Sequence, residues 1–83
     1  MTTTYATARK RSITIAGHET SISLEPAFWQ TIEHEAQSQN LPLNALVAQI
    51  DAARLDTQGR IPNLTSAIRQ YLLARALDNR GGE

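Results

Sequence analysis

Apolar and polar positions along the chain first alternate and then recur every three to four residues. Ile13 and Ile15 fall on one side of an extended run, with Ser12, Thr14 and Ala16 on the other. After Gly17 the alternation resumes, with Thr20, Ile22 and Leu24 set against Glu19, Ser21 and Ser23. A period of two marks a strand with one buried face. Gly17 can take the positive φ of a tight turn, so the two runs form either a hairpin or one long bent strand. In the hairpin, a two-residue loop at Gly17-His18 pairs Ile15 with Thr20 and Ile13 with Ile22, keeping the apolar side chains together.

Glu25-Pro26 ends the extended region, and Pro26 suits the first position of a helix, where an N–H is not needed. Phe28, Trp29, Ile32 and Ala36 then share a stripe at helical spacing, which predicts a helix to about Gln39. His34 lies on the charged side with Glu33 and Glu35, two carboxylates read as a solvated face. Leu43, Leu46, Val47 and Ile50 mark a second amphipathic helix to about Arg54. The stretch from Asp56 to Pro62 is a loop. Asn63 is a candidate N-cap for a third helix, whose apolar positions are Leu64, Ala67, Ile68, Tyr71, Leu72 and Leu77, with Arg69 and Arg75 on its outer faces. Residues 1–8, Thr-rich and without periodicity, are expected to be a flexible arm, residues 9–79 the domain and 80–83 a tail. The fold class is thus α+β, mostly helical: a strand or hairpin followed by two to three helices.

A chain of 83 residues is one small domain with a modest core. It has no cysteine, and His18 and His34 stand apart from carboxylates at metal-ligand spacing, so disulfides and metal are not expected to staple it. Oligomerisation remains. One hairpin and two short helices are not expected to bury both apolar faces in a single copy. Pairing of the strand from Glu19 to Leu24 with its symmetry mate would give a homodimer backed by four helices. Its shared core would hold Ile13, Ile15, Ile22, Leu24, Phe28, Trp29, Ile32, Leu46, Val47 and Ile50. The third-helix stripe of Leu64, Ile68, Tyr71 and Leu72 can cap its own subunit, embrace the other or build a higher oligomer, and is expected to join the dimer core. No apolar run is long enough to span a bilayer and no leader pattern is present, which predicts a cytoplasmic protein with no membrane partner.

Net charge is zero, but Arg9, Lys10 and Arg11 stand together ahead of the first apolar run. Local charge, more than the sum, governs phosphate binding. Nothing in the chain assembles a catalytic site. It has no Gly-rich phosphate loop, no His-x-x-x-His or Cys-x-x-Cys pair and no nucleophile elbow, so neither enzymatic activity nor a cofactor is expected.

The run Thr20-Ser-Ile-Ser-Leu-Glu-Pro-Ala-Phe-Trp-Gln-Thr-Ile32, with Ala36 and Asn40-Leu-Pro-Leu-Asn-Ala-Leu-Val47, resembles the ribbon-helix-helix superfamily of bacterial and phage repressors. Lys10-Arg-Ser-Ile-Thr-Ile-Ala-Gly-His-Glu-Thr-Ser-Ile-Ser-Leu-Glu25, Phe28-Trp29 and Asn63-Leu-Thr-Ser-Ala-Ile-Arg69 narrow the resemblance to a family of short bacterial ribbon-helix-helix proteins. The likeness runs from Arg9 to about Leu77. It implies an intertwined dimer that lays its ribbon in the DNA major groove and regulates transcription. The implied base readers are Glu19, Ser21 and Ser23. The phosphate clamp falls at Pro42, Leu43 and Asn44, at the amino end of the second helix. Arg9, Lys10 and Arg11 would reach flanking backbone as a basic arm. Glu19, where a basic residue is common, and Pro42, where serine is usual, support a second reading: a dimerisation module for a protein partner that does not bind DNA. A four-stranded dimer sheet would also be too wide for the groove.

Overall fold

The computed structural model describes residues 5–81. Two strands, β1 (Arg9–Ile15) and β2 (His18–Leu24), form an antiparallel hairpin. Three helices follow, α1 (Pro26–Ser38), α2 (Leu43–Leu55) and α3 (Leu64–Gly81). Of the expected arm, residues 5–8 carry no regular structure and are exposed, while 1–4 lie outside the described residues, as do 82 and 83 of the expected tail.

The extended region is a hairpin, but its turn lies one residue earlier than Gly17-His18. Ala16 and Gly17 are the two central residues, with φ of 51° and 82°. Positive φ at both positions is the signature of a type I′ turn, whose twist matches that of the strands it joins. The register is therefore Ile15 with His18, Ile13 with Thr20 and Arg11 with Ile22. Compared with the expected pairing, β2 has slipped by two residues, which leaves every side chain on its original face. Ala16 is the imperfect residue here, because an L side chain in the left-handed region costs ~1 kcal/mol or more. Ala16→Asn is expected to raise stability by about 0.5–1 kcal/mol and the melting temperature by roughly 4 °C. A lower melting temperature would show that Ala16 packs usefully as it stands.

α1 starts at Pro26 with no side-chain cap, the Glu25 carbonyl accepting from the N–H groups of Phe28 and Trp29. It ends in a left-handed cap: Asn40 has φ 58°, its N–H donates to Gln37 O, and the Leu41 N–H donates to Ala36 O at 2.9 Å. That pair of bonds is the Schellman arrangement, with asparagine in the place glycine usually takes. It turns the chain sharply, and Leu41 packs back on the core. At the start of α3, Asn63 Oδ1 accepts from the Ser66 N–H at 2.8 Å, the N-cap expected from sequence.

Within the chain the hairpin and all three helices pack on one core. Leu24, Ile32, Val47 and Ile68 are completely buried, and Ile13, Ile15, Ile22, Trp29, Leu46, Ile50 and Leu72 nearly so. Phe28 is half-buried at the margin. α3 closes one side of this core. It packs on α2, α1 and β2, while α2 covers β1. Ile68 and Leu72 join the core of their own chain. Leu77, expected on the buried stripe, is exposed.

Charge also fastens α3. Arg69 and Arg75 are not free on an outer face: Arg69 pairs with Glu25 at 2.8 Å and lies over the Phe28 ring, and Arg75 pairs with Glu35 at 2.7 Å. Glu35 is correspondingly not part of a solvated face. It is 8% exposed, accepts from Gln39 Nε2 as well as Arg75, and Gln39 in turn donates to the Tyr71 hydroxyl. The Arg69 guanidinium, hydrogen-bonded to Glu25, holds that carboxyl below the usual glutamate range.

Candidate nucleic-acid interface

Alternation divides the hairpin into two faces. The inner face carries Arg9, Arg11, Ile13 and Ile15 from β1 and His18, Thr20, Ile22 and Leu24 from β2. The outer face presents Lys10, Ser12 and Thr14 from β1 and Glu19, Ser21 and Ser23 from β2, all exposed. Across the ribbon, Lys10 faces Ser23, Ser12 faces Ser21 and Thr14 faces Glu19.

This face has a distinct chemistry. Four of its six side chains are small hydroxyls, each able to donate and to accept. Its two charges sit at opposite ends, Lys10 at the open end and Glu19 beside the turn, ~13 Å apart along the strand. No apolar group interrupts it. Two strands ~4.8 Å apart make a ribbon that fits a major groove about 12 Å wide.

The residues picked from sequence divide accordingly. Lys10, Glu19, Ser21 and Ser23 come together on the outer face. Arg9 and Arg11 do not join them, and neither belongs to a loose arm: both lie in β1 and point to the other side. Arg11 pairs with Glu33 at 2.9 Å and its guanidinium stacks 4.6 Å from the Trp29 ring centre. The Arg9 carbonyl accepts from the Trp29 indole at 2.9 Å. Strand pairing and this α1 anchor together order the basic run.

Asn44 is exposed in the first turn of α2, and no hydrogen bond among the described residues ties it to the ribbon. Pro42 is the N-cap of that helix and makes no side-chain cap, leaving the amino end without a hydroxyl of its own. The N–H groups of Leu43 and Asn44 belong to the first turn, where no intrahelical acceptor exists.

Ser12 and Thr14 were not among the sequence-derived readers, although alternation already placed them opposite the isoleucines. Pairing of β1 with β2 brings their hydroxyls alongside Ser21 and Glu19.

A family model described as a ribbon-helix-helix domain matches residues 8–76, spanning the hairpin, α1, α2 and most of α3. This chain is a ribbon-helix-helix protein. No curated protein and no solved structure gives a significant match. Ribbon-helix-helix domains are typically DNA-binding transcription regulators, generally dimeric and non-enzymatic. In this ribbon-helix-helix chain, no helix among the described residues is long and apolar enough to cross a membrane.

Proposed function

We propose that the protein is a dimeric, DNA-binding transcription regulator that reads the major groove with the outer face of its hairpin. The observation that carries this reading is the face itself: a ribbon two strands wide, covered by Lys10, Ser12, Thr14, Glu19, Ser21 and Ser23, in a chain of the ribbon-helix-helix family. Serine and threonine donate to or accept from several bases, and Glu19 accepts from cytosine N4. Lys10 supplies charge for guanine or phosphate at one end. Leu43 and Asn44, at the start of α2, offer N–H groups for a phosphate, the clamp that Pro42 opens without a capping hydroxyl.

The single-chain hairpin bears on how a dimer would dock. Adding a second copy along the free edge of β2 makes four strands, ~14 Å between the outer ones, wider than the groove. A dimer whose two hairpins stay separate lets each enter its own stretch of groove. Leu73 and Leu77, 61% and 53% exposed and one turn apart on α3, provide apolar surface for such a helix-mediated contact.

One specific set of observations favours the other reading, a dimerisation module for a protein partner. The net charge is zero, Glu19 stands on the reading face, and Pro42 leaves the α2 terminus uncapped. The deciding experiment measures binding to the protein's own upstream duplex and to a random duplex, at low and near-physiological salt, with mass determined in the same samples. Tighter binding to the upstream duplex by a dimer, weakening steeply with salt, is the expected result. A dimer that binds neither duplex at low salt would end the DNA reading.

A further inference from the structure

A cleft of about 580 Å³ opens between the first residues of β1 and the first half of α1, lined chiefly by Arg9, Lys10, Arg11, Trp29, Gln30 and Glu33. Its volume lies in the range of small-molecule sites. Its charges are unevenly committed. Arg11 is held by Glu33, whereas none of the ion pairs among the described residues involves Arg9 or Lys10. Arg9, on the inner face with Arg11, therefore lines that wall with no carboxylate of its own, while the Lys10 side chain belongs to the outer face.

The floor has equally definite chemistry. The Trp29 indole N–H is already spent on the Arg9 carbonyl, so the ring needs no further partner. The Arg11 guanidinium covers that ring at 4.6 Å and keeps 41% of its side chain exposed. A guanidinium stacked on an aromatic ring is a fixed planar cation, and its free plane suits another conjugated ring. Glu33, beside Arg11, disfavours a second anion at that end and directs negative charge toward Arg9. The exposed Gln30 amide adds a donor and an acceptor at the rim, matching the edge of a heterocycle.

We infer that this cleft binds a nucleoside phosphate, its base stacked on Arg11 and its phosphate held by Arg9. The inference does not depend on the ribbon reading DNA, since Arg9 and Arg11 lie on the opposite face from the hydroxyls. The ligand inferred is a free nucleotide; the end of a nucleic-acid strand carries the same chemistry, and the experiment separates the two.

The chain holds one tryptophan, so its fluorescence and its indole N–H resonance report on this cleft alone. The full chain is titrated with adenosine monophosphate, adenosine, inorganic phosphate and a blunt-ended duplex. Adenosine monophosphate is expected to shift both signals saturably, with Kd about millimolar or tighter. Adenosine and phosphate alone should each bind roughly tenfold more weakly, because each keeps half of the contacts. Arg9→Ala and Gln30→Glu alter exposed side chains, and each should weaken nucleotide binding by roughly tenfold with the circular dichroism unchanged. Three results would overturn the inference: no response to the mononucleotide, a response to the duplex only, or nucleotide binding that both substitutions leave intact.

Discussion

Ile68→Asp is expected to leave the chain largely unfolded. Ile68 is 0% exposed and sits where α3 meets the core. The substitution removes a fully buried aliphatic side chain and places a carboxylate with no partner in its stead, costing more than ~4 kcal/mol. An 83-residue domain has only about 4–12 kcal/mol to lose. Ile68→Val, which trims one methylene, should cost ~1 kcal/mol and preserve the fold. Far-UV circular dichroism and urea midpoints check both. If Ile68→Asp kept the wild-type midpoint, α3 would be an ornament and the single-chain core would be wrong.

Ser21→Asp is expected to have the largest effect on DNA binding. Ser21 faces Ser12 at the centre of the outer face, midway between Lys10 and Glu19. A second negative charge there meets the field of the phosphates, and like-charge juxtaposition across an interface costs several kcal/mol, a loss of at least about a hundredfold. Ser21 is exposed, so the melting temperature should hardly move. Two companion variants in the same assay separate reading from attraction. Ser21→Ala with Ser23→Ala should narrow the gap between upstream and random duplexes while sparing random binding. Lys10→Ala should weaken both and reduce the salt slope by ~0.9 if it holds one phosphate. Normal affinity for the upstream duplex in Ser21→Asp would remove the outer face from the interface.

Much of this architecture is legible in the chain, and what is not legible has identifiable physical causes. Alternation alone places Ile13, Ile15, Ile22 and Leu24 on one face, because period two has no other outcome. The same alternation is blind to a slip of two residues, which moves no side chain across the sheet. The turn decided the register: Ala16 and Gly17 take the two positive φ values, and His18 returns to the strand. Glu35 shows a second kind of blindness. A polar residue among polar residues signals solvent, and only folding brings Arg75 to it from forty residues away. Arg69 and Glu25 repeat the point over 44 residues. Arg9 and Arg11 looked like a basic cluster with Lys10, yet alternation applies to charged residues too and turns them away from it.

The position of α3 along the chain gives it a role in time as well as in space. During synthesis the hairpin emerges first, and its contacts are local, so it can form early. α1 and α2 follow with Ile32, Leu46 and Val47 still uncovered. Ile68 and Leu72 are made last among the core residues, so the ribbon cannot gain its supporting floor until translation has passed them. Until then the nascent protein exposes the apolar surface that α3 later covers, which invites association between growing chains. A messenger read by several ribosomes would bring such chains close together, and the speed at which α3 emerges would set how long each stays vulnerable.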